Sequence, residues 1–189
     1  LFEHEYEQDV PDAEWKAAAE RAEQCVRAFM KSELLAELRT IPAADWLEVE
    51  EFSGFPIDGL KVLVQLDAAY RKDGVIHVCD WKTGKRADES NELQLACYAL
   101  YAMHKWRQDP AQISCTLFYL PACERVTWTP EPGRLEAVKD YVHESADEML
   151  FPLTDPQQNI AGDEEVFEFT ENERACRRCN FLRACPRFA

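Results

Sequence analysis

The sequence predicts an α/β fold in which helices flank a central mixed β-sheet, with a C-terminal cysteine-rich appendage. Three observations support this prediction. The 189 residues are 47% hydrophobic, enough to bury one substantial core. Apolar runs separated by Asp-Gly turns alternate along part of the chain, and helical stripes precede and follow them. We assign residues 1–150 to the core and residues 151–189 to a linker and the appendage.

The first elements are a helix and three antiparallel strands. Between Asp12 and Leu38, apolar residues recur every three or four positions behind an Asp cap, which is typical of an amphipathic helix. Two turns, Asp58-Gly59 and Lys72-Asp73-Gly74, then separate three stretches that favour strands. These predicted strands cover residues 46–55, 60–70 and 75–81.

The remaining elements complete the predicted α/β order. A helix with one apolar stripe follows Gly84 and ends near Trp106. Two strands, a helix and a loop come next, over residues 113–120, 125–129, 132–149 and 151–161. Helices before, between and after the strands indicate layers around one mixed sheet.

Charge and hydropathy exclude two classes of protein. With 36 acidic and 21 basic residues, the net charge of −15 argues against binding nucleic acid through a general basic surface. The exception is the segment from Arg174 to Arg187, which carries five arginines and no acidic residue, so we expect it to meet phosphate. No run of about 18 apolar residues suggests a membrane span, and we expect a cytoplasmic protein.

Two aspartates and a lysine form the strongest chemical pattern. If the strands on either side of Lys72-Asp73-Gly74 pair as a hairpin, Asp67 and Asp80 come opposite each other. Side chains alternate along a strand, so Asp80 and Lys82 share a face and Trp81 lies on the other. Two carboxylates and an ammonium suit Mg²⁺ or Mn²⁺ and a phosphate. A surface salt bridge is the alternative, but Asp80 ends an apolar run, which favours the functional interpretation.

Three segments resemble the RecB-like branch of the PD-(D/E)XK nucleases. They are Leu66-Asp67, then Asp80-Trp81-Lys82-Thr83-Gly84, then a helix with Gln94 and Tyr98 four positions apart. The resemblance implies a restriction-endonuclease-like core whose metal is bound by Asp67, Asp80 and the Trp81 backbone carbonyl. It also implies that Lys82 acts on the attacking water and that Gln94 and Tyr98 face the site. One position departs from the family pattern: Gln65 stands two residues before Asp67, where the family usually has a small residue.

Two further parts of the family pattern are less clear in this sequence. Glu50 resembles a glutamate that often precedes the aspartate strand, although a solvated edge charge is an equal alternative. His4 does not match the family's N-terminal histidine in context. We therefore expect the family's first helices, with that histidine, to precede Leu1.

The eight cysteines fall into two groups. We expect Cys25, Cys79, Cys97, Cys115 and Cys123 to be buried as small hydrophobic residues. The remaining three, Cys176, Cys179 and Cys185, have the spacing C-x2-C-x5-C, which is close enough for one metal centre. The tail resembles that of AddB-type and CRISPR-adaptation nucleases, which implies a [4Fe-4S] cluster. Zn²⁺ is the alternative. The fourth ligand is expected upstream of Leu1 rather than at Cys25.

These patterns together predict a metal-dependent deoxyribonuclease of DNA repair, recombination or defence. The resemblance implies DNA as partner, as single strands or ends, and exonuclease action. It also implies a helicase domain or subunit in a longer parent protein. Two alternatives stay open: a non-catalytic DNA-end or partner-binding module with the nuclease fold, and a zinc-binding interaction domain.

Overall fold

The computed structural model describes residues 2–84 and 89–187. Within these ranges the helices are α1 (Phe2–Glu5), α2 (Asp12–Met30), α3 (Glu33–Leu38), α4 (Glu89–Trp106), α5 (Pro132–Leu150) and α6 (Glu173–Cys176). The strands are β1 (Trp46–Val49), β2 (Phe52–Ile57), β3 (Leu60–Gln65), β4 (Ala68–Lys72), β5 (Val75–Lys82), β6 (Ile113–Tyr119), β7 (Glu124–Trp128), β8 (Leu153–Asp155) and β9 (Ile160–Ala161).

A mixed five-stranded sheet forms the centre of the unit Ala17–His143. Its strand order is β1-β4-β5-β6-β7. The β5–β6 pair is parallel and is connected through α4, whereas the other neighbours pair antiparallel. The predicted α/β class with a central mixed sheet is thus confirmed.

Two of the predicted strands are each broken in two. The predicted continuous strands 46–55 and 60–70 are interrupted at Glu50-Glu51 and at Leu66-Asp67. The backbone of Glu50 has a positive φ of 53°, and its N–H donates to the carbonyl of Leu66 at 3.0 Å. These paired bends place β1 and β4 in the central sheet, while β2 and β3 form a separate antiparallel hairpin.

The predicted helix from Asp12 to Leu38 is also two helices. The chain leaves α2 after Met30, and α3 begins after Ser32, whose hydroxyl accepts a hydrogen bond from the backbone N–H of Leu35 at 3.1 Å. Serine is a preferred cap because it satisfies a helix N–H that has no partner within the helix. The apolar periodicity continues across this break, which is why the sequence pattern conceals it.

One face of the central sheet, which we call the α4 face, packs against α4. Ile76 and Val78 of β5 contribute to it, together with Leu117 of β6. The β2–β3 hairpin joins the same core, and the ring of Phe55 contacts that of Tyr101 edge to face at 5.7 Å between centroids. Because α4 has apolar neighbours on two sides, much of its length is buried.

The opposite face of the sheet, which we call the α3 face, has a smaller core. It comprises Ala68, Tyr70, Cys79 and Phe118 from the sheet, Leu34 and Leu38 from α3, and Ile41. Phe29, Trp46 and Trp81 are only partly buried beside it. The two faces of β5 therefore bury the even-numbered and odd-numbered residues of the strand respectively.

The second unit consists of the segments on either side of Ala17–His143. It contains α1, α6 and a short β8–β9 pair in the stretch predicted as a loop. The hydroxyl of Tyr6 donates to the carbonyl of Asn180 at 2.9 Å, and the guanidinium of Arg183 lies 4.9 Å from the Tyr6 ring. Across the described residues, no helix combines the length and apolar character needed to cross a bilayer.

Candidate active site

Asp67 and Asp80 meet where β4 and β5 pair. In the β4–β5 register, Ala68 lies opposite Cys79, so Asp67, one position before β4, comes opposite Asp80. The side chain of Asp67 turns toward β5, where its Oδ2 accepts a hydrogen bond from the backbone N–H of Trp81 at 2.6 Å. Asp80 is buried, with 4% of its surface exposed. The structure thus brings the two predicted carboxylates together at one end of the sheet.

Lys82 lies on the same face as Asp80, as strand alternation predicts. Its Nζ is 2.6 Å from Asp80 Oδ2, and it donates a hydrogen bond to Gln94 Oε1 at 2.6 Å. The Lys82 side chain is 25% exposed, so it stays partly accessible from solvent. A carboxylate on one strand and an amide on α4 therefore fix the position of this ammonium.

Tyr98 links the helix back to the carboxylates. Its hydroxyl accepts a hydrogen bond from Gln94 Nε2 at 2.8 Å and lies 3.1 Å from the Gln65 carbonyl and 3.2 Å from Asp80 Oδ1. The hydroxyl has one proton to donate, so it serves one of these two acceptors at a time. Burial, followed by the negative charge of Asp80, raises the pKa of Tyr98, which keeps the hydroxyl protonated.

The pKa of Asp67 is raised from its ordinary value. Burial is the largest cause, and the charges of Asp80 and Glu50 add to it, while the hydrogen bond from Trp81 and the charge of Lys82 oppose it. Burial and the repulsion from two other carboxylates thus both disfavour the charged form of Asp67. A bound cation would relieve this repulsion.

Asp80 provides a second observation that fits a cation. Its Oδ2 is buried and, despite its closeness to Lys82 Nζ, accepts no hydrogen bond of acceptable geometry from any described residue. Among the described residues, no group of three or more histidine, cysteine or carboxylate side chains is arranged to hold a metal ion. Mg²⁺ needs no such group, because it keeps several waters and is commonly bound by one or two carboxylates. The donor set at this site fits that mode.

The Trp81 backbone is oriented toward the same point. Within a strand, the N–H and C=O of one residue face the same neighbouring strand. Since the Trp81 N–H donates to Asp67, its carbonyl also faces the edge of β5 on which Asp67 lies. Glu50 is nearby but exposed, and its Oε2 accepts a hydrogen bond from Gln65 Nε2 at 3.3 Å.

The structure buries a glutamate that the sequence pattern does not identify. Glu48 is 3% exposed, and its Oε2 accepts hydrogen bonds from Tyr101 at 2.8 Å and Lys105 at 2.6 Å. Its neighbour Val49 is 54% exposed instead. The alternation of residues 46–50 signals a strand but does not indicate which face is buried, and the partners of Glu48 come from a helix more than 50 positions away.

The three C-terminal cysteines line one small cavity in the second unit. This cavity has a volume of about 130 Å³ and is also bordered by Phe169, Leu182 and Arg187. Cys176, Cys179 and Cys185 are half-buried and unbonded to one another. No metal group is formed by their thiols or by other side chains in the described ranges.

The remaining sequence predictions have mixed outcomes. Cys25, Cys79 and Cys115 are buried as expected, and burial raises the pKa of Cys79 and Cys115 to about 12. The expectation is wrong for Cys123, which is exposed because it lies in the tight β6–β7 turn with a φ of 51°. Cys97 is half-buried. The side chain of His4 lies outside the described part of the chain.

Comparison with known proteins gives a family match and weaker likenesses to solved structures. A family model described as the PD-(D/E)XK nuclease superfamily matches residues 1–186. No curated protein matches the chain. One similar solved structure is a Eubacterium rectale protein assigned as an exonuclease, with a TM-score of 0.47 and 12% identity over 69% of this chain and 52% of that one. The protein SSO0001 gives a TM-score of 0.37 and 13% identity over 74% and 59%. The chain thus spans between half and three fifths of either protein.

Proposed function

The chain belongs to the PD-(D/E)XK nuclease superfamily, with the restriction-endonuclease-like fold that this implies, and we propose that it is a divalent-metal-dependent deoxyribonuclease. The proposal assigns metal binding to Asp67 and Asp80, with the Trp81 carbonyl as a further ligand. The proposal includes Glu50 as an additional carboxylate at the same point. The substrate is DNA, and the reaction is hydrolysis of a phosphodiester bond.

The observation that carries this proposal is a continuous chain of polar contacts around Asp80. Lys82 contacts Asp80 and donates to Gln94, Gln94 donates to Tyr98, and the Tyr98 hydroxyl returns to Asp80. A salt bridge on a surface would not need two further side chains from a helix to hold it. Fixed orientation of a lysine beside a carboxylate is what a hydrolytic centre requires.

The metal and the protein have different tasks in this proposal. A bound Mg²⁺ or Mn²⁺ would lower the pKa of a water and neutralise charge on the phosphate. As an ammonium, Lys82 would orient the attacking water and stabilise negative charge that develops on the phosphate oxygens; in its neutral form it would instead accept the proton of that water. Gln94 keeps the Lys82 ammonium in place, and Tyr98 orients the Asp80 carboxylate.

The decisive experiment compares the wild type with Lys82→Ala on labelled DNA, with Mg²⁺, Mn²⁺ or EDTA. We expect cleavage that needs the metal and a loss on the order of 10²–10³-fold in Lys82→Ala. Lys61→Ala is a matched control, because Lys61 is an exposed lysine on the β2–β3 hairpin. Equal cleavage by wild type and Lys82→Ala, or none from either, would favour the non-catalytic module.

We further propose that the protein is of the RecB-like branch, acts on single strands or DNA ends, and works with a helicase domain or subunit. The motif Asp80-Trp81-Lys82-Thr83-Gly84 and the Gln94–Tyr98 pair support this branch. The exposed arginines of the C-terminal segment, such as Arg177 and Arg178, support contact with phosphate. Comparing cleavage of single strands, blunt duplexes and closed circles tests strand and end preference.

For Cys176, Cys179 and Cys185 we propose a [4Fe-4S] cluster with its fourth ligand upstream of Leu1, and Zn²⁺ as the alternative. The support is that all three thiols border one cavity. Iron, sulfide and zinc should be measured in protein purified without oxygen from a chain extended upstream. Cys179→Ser should lose the metal and Cys25→Ser should keep it; zinc without iron would select the alternative.

A further inference from the structure

A second cavity adjoins the proposed active site on the α3 face of the sheet. Its volume is about 550 Å³, within the range of about 300–1,000 Å³ typical of small-molecule sites. Asp67 and Trp81 are among its lining residues, so the cavity borders the carboxylates that we propose bind the metal. Lys82 and the Gln94–Tyr98 pair, by contrast, belong to the α4 face.

The walls of this cavity are aromatic and aliphatic. Phe29, Trp46 and Trp81 line it and are each only half-buried, so their rings remain accessible. The Phe29 and Trp81 rings lie 5.3 Å apart between centroids and are tilted by 53°. Partly exposed aromatic rings around a concave space are the usual surface on which an unpaired nucleobase stacks.

The cavity has three charged lining residues, two of them acidic and one basic. Glu50 and Asp67 are the carboxylates, and both belong to the proposed metal-binding end. Arg39, at the end of α3, supplies a cation and is exposed. No carboxylate of the described residues forms an ion pair with it, in a chain that carries a net charge of −15. An anion next to the cavity would find this guanidinium available.

We propose that this cavity binds an unpaired nucleobase of the DNA strand, from a nucleotide that flanks the scissile phosphate. The base would lie among Phe29, Trp46 and Trp81, and Arg39 would contact a neighbouring phosphate. The proposal rests on the proposed nuclease function and adds a substrate feature to it. A base within a duplex cannot enter such a cavity without leaving its stack, so the site selects single-stranded DNA.

The test fills the cavity from its rim. Val49 lines the cavity and is 54% exposed, so Val49→Trp adds a ring there with little disturbance of the core. Leu63→Trp is the matched control, because Leu63 is also a strand residue with 54% exposure and does not line the cavity. Tryptophan suits strand positions, so both variants should fold.

The substrates are single-stranded oligonucleotides in which one abasic residue is moved a position at a time. In the wild type and Leu63→Trp, we expect cleavage of the bond next to the abasic residue to slow about tenfold relative to the intact strand. In Val49→Trp, the abasic residue should change that rate less than twofold, whatever the overall rate. An abasic profile in Val49→Trp identical to that of the wild type would overturn the proposal.

A binding measurement separates this proposal from the nuclease function. Lys82→Ala protein is titrated against oligonucleotides carrying 2-aminopurine, whose fluorescence falls when it stacks on an aromatic ring. We expect strong quenching at one position of the strand, lost when Val49→Trp is added and kept when Leu63→Trp is added. If no variant cleaves DNA, the nuclease function fails while this quenching still decides the cavity. Absence of quenching, or equal quenching in both double variants, would overturn the base-binding proposal.

Discussion

Both faces of strand β5 pack against apolar cores, the larger one on the α4 face, but the two faces differ in their polar groups. On the α4 face, the polar residues Asp80, Lys82, Gln94 and Tyr98 contact one another at the end of the strand. On the α3 face, Glu37 joins α3 to the sheet through Lys72 and Arg125 and has no contact with the proposed site. Polar residues thus serve positioning on one face and attachment of a helix on the other.

This difference predicts which changes affect activity and which affect stability. A polar residue of the Asp80 network holds chemical groups in place, so its loss should reduce the rate more than the folding free energy. A residue of the α3 face holds an element in place, so its loss should do the reverse. The following changes test this division, beginning with the largest expected effect.

Asp80→Asn should reduce the cleavage rate on the order of 10³-fold or more, because it removes the charge that we propose binds the metal beside Lys82. Thermal stability without metal should stay equal or rise, since a buried carboxylate oxygen without a hydrogen bond is replaced by a neutral amide. Cleavage assays and thermal melts with and without Mg²⁺ measure both. A melting temperature that rises with Mg²⁺ in the wild type but not in Asp80→Asn would locate the metal here. A fully active Asp80→Asn would contradict the division at its strongest point.

Leu34→Ala should destabilise the protein by about 2–5 kcal/mol, since Leu34 is 2% exposed in the core of the α3 face. Its cleavage rate, measured well below the melting temperature, should stay within about threefold of the wild type. Leu95→Ala is the matched change on α4, where Leu95 is also 2% exposed. It should cost similar stability but also lower the rate, because Leu95 adjoins Gln94. Equal rates in the two variants would show that the faces are not functionally distinct.

The positions of the two carboxylates could be predicted from the sequence because strand alternation and one short turn determine them. Alternation along β5 places Asp80 and Lys82 together, and the short turn at Asp73-Gly74 fixes the register that brings Asp67 opposite Asp80. Sequence reasoning did not locate Glu37, Glu48 or Arg39. Their partners or cavity neighbours come from elements far away in sequence, and no local pattern encodes such contacts.

The breaks in the predicted strands have a related cause. Alternation continues through residues 46–55 whether or not the chain changes sheet, so the bend at Glu50 has no periodic signal. The bend depends on a hydrogen bond from Glu50 to Leu66, a contact between two strands. The same bend turns Asp67 out of the strand and toward Trp81. A bend that the sequence pattern does not predict therefore determines part of the candidate site.

Tyr98→Phe should lower kcat/KM about 10–100-fold, because a residue that orients a metal ligand typically has an effect of this size. It removes one hydroxyl that contacts Asp80 and accepts from Gln94. Tyr101→Phe, one turn further along the same helix, removes a hydroxyl that contacts Glu48 and Lys105 instead. It should change kcat/KM less than threefold. The Mg²⁺ concentration for half-maximal rate should rise only in Tyr98→Phe, and an equal rise in both would assign the effect to helix packing.

Glu37→Gln should have the smallest effect, a loss of about 1 kcal/mol of stability at pH 7, because the carboxylate is partly exposed at 24% and its ion pairs are screened. Burial on its own would raise the pKa of Glu37, but the hydrogen bonds and charges of Arg125 and Lys72 outweigh it and lower the pKa from its ordinary value of 4.5. A carboxylate with a lowered pKa stabilises the fold above its unfolded-state pKa and loses this contribution as the pH falls through the folded-state pKa. The stability difference between wild type and Glu37→Gln, measured by urea unfolding, should therefore be constant from pH 7 to about pH 5 and shrink below about pH 4.

The control is Glu33→Gln, an exposed change on the same helix, whose stability should stay within about 0.5 kcal/mol of the wild type throughout this pH range. If the stability difference between wild type and Glu37→Gln persists unchanged at pH 3, Glu37 acts through packing. Helix α3 would then be attached to the sheet by packing and not by ion pairs.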